Sequence, residues 1–252
     1  EAIIIILFLT GMLAAGYQIA RHANPNRLKT SGIVTLQAAV LGLLALVLSF
    51  TYSYVTNRLQ DRKTAVIEEA NAIGTAYLRA DVAPQPLRQQ LRSLLEAYAK
   101  TRVVTAESAS SLEKLRRFIA DSMAVQQHLW PVVKDILAQS QAGPKEALLA
   151  QAVNEVIDLH TIRLRAAFER LPGIVMLMML LIAGLGLLIT GYAAEGINQW
   201  PNTAFALVLA FVIIVIVDMD QSQSGFVRVS QQPLMDLIAG IREQDAMPSA
   251  AK

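Results

Sequence analysis

The chain has 252 residues, of which 54% are hydrophobic and 17% charged, and its net charge is +2 at pH 7. Soluble domains contain about 45–50% apolar residues, so this composition is typical of an integral membrane protein with one polar region. The small net charge gives no reason to expect nucleic-acid binding, and the absence of cysteine excludes disulfides, thiol catalysis and zinc–thiolate sites.

Four stretches of the sequence are apolar enough to cross a bilayer whose hydrocarbon core is about 30 Å thick. No basic segment precedes the first stretch, so we expect a membrane span there rather than a signal peptide. The fourth is short and covers roughly 24 Å, so we expect it to thin the bilayer or to pack inside a bundle. The predicted spans are residues 2–20, 32–55, 171–194 and 202–217.

The polar region between the second and third spans has the apolar spacing of helices and no alternation typical of strands. The sequences APQP and QAGP divide it, and we expect Pro131 to kink or end the helix in which it lies. These breaks leave four amphipathic helices, which are enough for a small bundle. Gly74 lies inside the first of them, so we expect another helix or subunit to pack closely there.

The segment LVLSFTYSYVTNRLQDRK, residues 46–63, passes from apolar to charged residues without a proline or glycine. The second span is therefore predicted to continue out of the membrane as one long helix. The helix at residues 145–170 likewise runs directly into the third span, so we expect a second long helix there.

The predicted fold is all-α, with four transmembrane helices and a helical extramembrane domain inserted between the second and third spans. Its parts are residues 1–55 with transmembrane helices 1 and 2, 56–170 with the helical domain, 171–218 with transmembrane helices 3 and 4, and 219–252 with a C-terminal tail and short helix.

An even number of spans places both termini and the helical domain on one side of the membrane. Lys and Arg near the membrane ends are more numerous on that side, which predicts a cytoplasmic domain and termini in a multi-pass protein of the inner (plasma) membrane. The contrary observation is the short first loop, which carries Arg27 and Lys29 after Arg21. The basic residues on the domain side are Arg58, Arg62, Lys63, Arg163, Arg165, Arg170 and Arg228.

The end of the second span resembles the bestrophin signature, in which an arginine follows a phenylalanine by eight residues, and acidic and basic residues come next. The chain has Phe50, Arg58, Asp61 and Lys63 at these positions, but Ser49 replaces the family glycine. Residues 68–86 and 215–237 are similar to bacterial membrane proteins described as bestrophin-like, and the order of elements matches over nearly the whole chain.

The resemblance implies a homopentameric ion channel in which five copies of the second helix surround a hydrophobic neck. Carried over by position, the neck residues are Gly42, Leu46 and Phe50, where Gly42 replaces a bulky family residue. Leu46 and Phe50 are four residues apart and share a helix face. Without the resemblance, both would be assigned to a lipid-facing or packed surface.

Three polar residues of the second span and of the helix that follows it have two interpretations each. Gln37 lines the pore or bonds to a neighbouring helix, and Asn71 and Thr75 line a cytoplasmic vestibule or pack in the domain core. Charges at the pore mouths are expected at Arg58, Asp61, Asp218 and Asp220.

Asp218 and Asp220 follow the fourth span, where animal bestrophins hold calcium. Two carboxylates fall short of the six to eight oxygen ligands that calcium takes, so we expect a solvated membrane exit or pairing with Arg58 or Arg228 instead.

No cofactor, metal or catalytic residue is predicted. The three histidines lack ligand-spaced partners, and the sequence has no phosphate loop, H-E-x-x-H or G-x-S-x-G motif. The expected partners are the lipid bilayer, small inorganic ions and further copies of the chain. The alternative is a membrane-anchored sensor or scaffold, or an accessory subunit, without a pore.

Overall fold

We analysed a computed structural model of the chain, which describes residues 2–22, 31–105, 108, 111–139, 143–194, 199–221, 225 and 227–246. Arg27 and Lys29, which entered the topology prediction, lie outside the described residues, as do parts of the QAGP and 215–237 segments.

The described residues form α-helices, with one 3₁₀ turn at Ala80–Val82 and no strand. The helices are α1 (Ala2–His22), α2 (Ser31–Arg79), α3 (Leu87–Thr101), α4 (Leu112–Gln126), α5 (Leu129–Gln139), α6 (Pro144–Phe168), α7 (Gly173–Ala193), α8 (Trp200–Asp220) and α9 (Gln232–Ala246).

Four helical stretches are long and apolar enough to cross a membrane, and their apolar parts lie in α1, α2, α7 and α8. Helix α8 has 21 residues, which corresponds to about 31 Å. It is therefore longer than the predicted fourth span, because the helix begins earlier, at Trp200 and Pro201, and continues at its other end through Asp218 to Asp220.

The prediction of one long helix from the second span is confirmed, since α2 is continuous over 49 residues. The matching prediction for the third span is wrong, because α6 ends at Phe168 and α7 begins at Gly173. Pro172 lies between them. In a continuous helix it could not donate an N–H to the carbonyl oxygen of Phe168 and its ring would clash with that carbonyl, so α6 ends at Phe168.

The predicted end of the helix near Pro131 is present, but it lies before the proline and not at it. Helix α4 ends before it, at Gln126, and Pro131 lies in the first turn of α5. A first-turn N–H has no partner within its own helix, so proline costs little at that position.

The chain forms two compact units, and the first contains residues up to Arg58 together with Arg170–Gln221. In this unit α1 packs against α7 and α8. Gly16 and Gly191 allow the closest approach: a Cβ on Gly16 would lie 2.1 Å from the carbonyl oxygen of Leu188, and one on Gly191 would lie 2.2 Å from that of Leu13. Small residues are what membrane helices need at such a crossing.

The second unit contains Leu59–Glu169 and Ser222–Lys252, so α9 belongs to it. Helix α3 packs against α4, α5 and α9, and α5 packs against α6. Its core includes Leu91, Leu95, Ile136 and Val156, each 0% exposed. Arg62 ties the start of this part of α2 to the end of α6, because its guanidinium donates to the carbonyl oxygens of Ala166 and Glu169.

Candidate functional site

Helix α2 has one packed side and one exposed side in the first unit. Leu44, Thr51 and Val55 are 2%, 3% and 0% exposed, whereas Leu46 and Phe50 are 52% and 68% exposed. A helix turns about 100° per residue, so Leu46 points away from the packed residues. Leu46 and Phe50, predicted to share a face, are therefore both more than half exposed in the single chain.

The exposed face around Leu46 carries small and polar side chains on the neighbouring turns. Ser49, Ser53 and Asn57 are exposed, as are Ala39 and Gly42. Hydroxyl and amide groups facing hydrocarbon are costly, so this face is unlike a lipid-facing surface.

Helix α8, in the same unit, has an exposed surface of large apolar side chains. Its exposed large side chains are Trp200, Phe205, Leu207, Val208, Phe211 and Val212. The exposed side of α2 also carries large apolar side chains, such as Leu43 and Phe50, but it mixes them with Ser49, Ser53 and Asn57. This mixture is compatible with water or with another subunit.

Gln37 lies on a different side of α2 from Leu46. Its Nε2 donates to Thr190 Oγ1 of α7 at 3.1 Å, and Thr190 Oγ1 in turn donates to the carbonyl oxygen of Gly186 at 2.8 Å. Of the two interpretations of Gln37, the structure shows the bond to a neighbouring helix. Gly42, by contrast, is exposed, and a Cβ placed on it would meet nothing within 4 Å.

The charged residues predicted for the mouths have different environments. Arg58 donates from Nε and Nη2 to the hydroxyl of Tyr54 at 3.2 and 3.1 Å, and its guanidinium lies over the Tyr54 ring. Asp61 is exposed and Asp218 is partly exposed.

Asp220 is 6% exposed and accepts a hydrogen bond from the backbone N–H of Leu171 at 2.8 Å. A carboxylate just before α7 interacts favourably with the positive end of that helix. Within the described residues, no group of three or more His, Asp or Glu side chains is placed to hold a metal ion.

In the second unit, the extension of α2 exposes Asn71 and leaves Thr75 partly exposed. Gly74 lies next to Thr75, and a Cβ on it would be 3.2 Å from Cδ1 of Leu237 in α9. The close packing expected at Gly74 is therefore made by the C-terminal helix.

Sequence reasoning missed a buried ionic cluster in the second unit, centred on Glu69 of α2. Glu69 is 0% exposed, and its Oε1 accepts from Arg102 Nε at 2.7 Å and from the Tyr98 hydroxyl at 2.8 Å. Its Oε2 accepts from Arg163 Nη1. Burial raises the pKa of the Tyr98 hydroxyl above its ordinary value, so the phenol stays protonated and keeps donating.

The cluster extends to other helices through its two arginines. Arg163 Nη2 donates to Gln231 Oε1 at 2.7 Å and to the carbonyl oxygen of Arg102 at 3.0 Å, while Arg102 Nη1 lies 3.4 Å from Ser122 Oγ of α4. The available sequence signal was the spacing of Glu69, which is four residues from both Ala65 and Ile73 on the packed face of α2.

Comparison with protein families shows the family to which the chain belongs. A model of the bestrophin-like domain matches residues 4–234. The chain belongs to the bestrophin-like family. That family is known for ion channels, which agrees with the resemblance seen in the sequence.

Solved structures support the same fold for this bestrophin-like chain. A bacterial bestrophin homologue from Klebsiella pneumoniae has a TM-score of 0.68 at 12% identity, covering 96% of each chain. A single-residue variant of that homologue has a TM-score of 0.71 at 11% identity, covering 96% of this chain and 99% of its own. At this identity the likeness shows the fold alone. Comparison with curated protein sequences gives no match.

Proposed function

We propose that this bestrophin-like protein is a homopentameric ion channel that conducts small ions passively through a pore lined by α2. The observation that supports the proposal is the exposed face of α2 in the first unit. Small and polar side chains on a membrane helix are stable where they meet water or another subunit.

The narrowest part of the pore is proposed to be the neck formed by Leu46 and Phe50. Rings of apolar side chains gate a narrow pore by excluding water. Gly42, one turn away, has no side chain, so the pore is wider at that level and the apolar restriction is confined to about one helical turn.

Beyond the neck, Asn71 and Thr75 are proposed to line a vestibule in the helical domain. A neck of uncharged side chains gives little charge selectivity, so selectivity would come from charges at the mouths. We assign that role to Arg58, Asp61 and Asp218, with Asp220 adding its charge from a buried position.

The proposed location is the inner (plasma) membrane, with both termini and the helical domain in the cytoplasm. The helical domain is inserted between transmembrane helices 2 and 3 in this arrangement. The excess of basic residues on the domain side supports this orientation.

The proposal is tested with purified protein by two measurements. Native mass spectrometry in detergent is expected to give a pentamer, and reconstitution in a planar bilayer is expected to give discrete currents. A monomer or dimer without current would contradict the channel and favour the scaffold or accessory subunit instead.

A further inference from the structure

His160 of α6 is a buried histidine with one unused ring nitrogen. It is 3% exposed, and its Nδ1 lies 3.0 Å from the Tyr98 hydroxyl oxygen. The single hydroxyl hydrogen of Tyr98 is donated to Glu69 Oε1, so the phenol oxygen accepts from His160 Nδ1–H. The Nε2 of His160 then carries a lone pair, and it has no hydrogen-bond partner within the described residues.

The groups around His160 bear an excess of positive charge. Helix α2 supplies the carboxylate of Glu69, the end of α3 supplies the guanidinium of Arg102, and α6 itself supplies that of Arg163. From the described parts of α4 and of the segment before α9, the neutral side chains of Ser122 and Gln231 contact these two arginines. The charged residues of α5, Lys134 and Asp135, are exposed.

A second proton on His160 would therefore create a buried N–H without an acceptor, next to two arginines that share one carboxylate. A buried charge without a compensating partner is strongly destabilising. The same cluster joins α2, α3, α6 and the segment before α9, so the cost falls on the contacts that hold these elements together.

We propose that His160 is an acid-sensitive switch, whose protonation loosens the cluster and with it the packing of α2 against α3, α6 and the segment before α9. This inference concerns the helical unit and does not depend on the proposed channel. The part of α2 in this unit also carries Asn71 on its exposed side. Looser packing of α2 therefore changes the position of the face proposed to line the vestibule.

The direction of the pH dependence follows from the difference between the pKa of His160 in the closed unit and in the opened unit. Burial, with the charges of Arg102 and Arg163 adding to it, lowers the pKa of His160 from 6.5 to about 4. An unfolded or opened unit takes up the proton near 6.5, whereas the closed unit takes it up only near 4. The free energy that keeps the unit closed is therefore highest above pH 6.5, and it decreases as the pH falls from 6.5 towards 4.

The test compares hydrogen–deuterium exchange of the purified full chain with that of His160→Asn. Asparagine keeps an N–H donor near the position of Nδ1 but cannot take up a proton. Relative to the variant, the opening of α3 and α6 in the wild type is expected to increase by up to about tenfold per pH unit between about pH 6.5 and pH 4. Equal pH dependence in the two proteins would overturn the proposal.

His128→Asn provides the matched control. His128 is exposed and its Nδ1 lies 2.8 Å from the carbonyl oxygen of Ala124, so this variant is expected to keep the pH dependence of the wild type. If His160→Asn does not fold, NMR titration of histidine-labelled wild type decides the matter. A pKa of His160 well below 6.5 supports the switch, and one at or above 6.5 contradicts it.

Discussion

Replacing both Leu46 and Phe50 by alanine is expected to raise the single-channel conductance several-fold and to reduce closures. Both side chains are exposed in the protomer, at 52% and 68%, on the face proposed to line the pore. Removing the two apolar rings widens the neck and lowers the barrier that dewetting places there. The measurement is planar-bilayer recording of the purified variant beside the wild type.

Phe211→Ala is the control for this experiment. Phe211 lies on the apolar face of α8 and is 66% exposed, which nearly equals the exposure of Phe50. It is expected to leave conductance unchanged, because it faces lipid in the proposed assembly. The neck assignment fails if the double variant behaves like the wild type, or if Phe211→Ala alters conductance to the same degree.

Replacing Glu69 by alanine is expected to destabilise the helical unit by about 3–5 kcal/mol. The substitution leaves the guanidinium groups of Arg102 and Arg163 buried without their shared carboxylate. Tyr98 also loses the acceptor of its hydroxyl hydrogen. Chemical unfolding of the purified protein in detergent, followed by circular dichroism, measures the change.

The neighbouring residue supplies the control for Glu69. Glu68 is exposed, and Glu68→Ala removes the same side chain from the same helix, so its effect is expected to stay within about 0.5 kcal/mol. Glu69→Gln keeps one acceptor oxygen, replaces the other by an NH2 donor and removes the charge, so its effect is expected to fall between the two. Similar stabilities for Glu68→Ala and Glu69→Ala would show that the cluster contributes little.

Much of the fold could be predicted from local sequence. Apolar runs located the four helices that are long and apolar enough to cross a membrane, and the lack of a breaker between Leu46 and Lys63 correctly indicated one continuous helix. The break at Pro172 was missed and the one near Pro131 was placed too late, because proline either starts or stops a helix and the sequence alone does not say which.

The candidate site was harder to predict, because it depends on which helices face each other. Gln37 had two interpretations until α7 was placed beside it with Thr190. The cluster around Glu69 was missed because its members are scattered along the chain, and their attraction is visible only once α3 and α6 pack against α2. A glycine inside a helix correctly predicted close packing at Gly74, but it did not indicate that the neighbour is Leu237.

Cysteine-accessibility mapping tests most directly whether the exposed face of α2 lines a pore. The chain contains no cysteine, so single cysteines can be placed without background at Gly42, Leu46, Ser49, Ser53, Leu44, Thr51 and Phe211. A charged, water-soluble thiol reagent is expected to react at the first four positions and to block the current, while Leu44→Cys, Thr51→Cys and Phe211→Cys do not respond. The account would be contradicted if the reagent blocks the current of Phe211→Cys but not that of Leu46→Cys or Ser53→Cys.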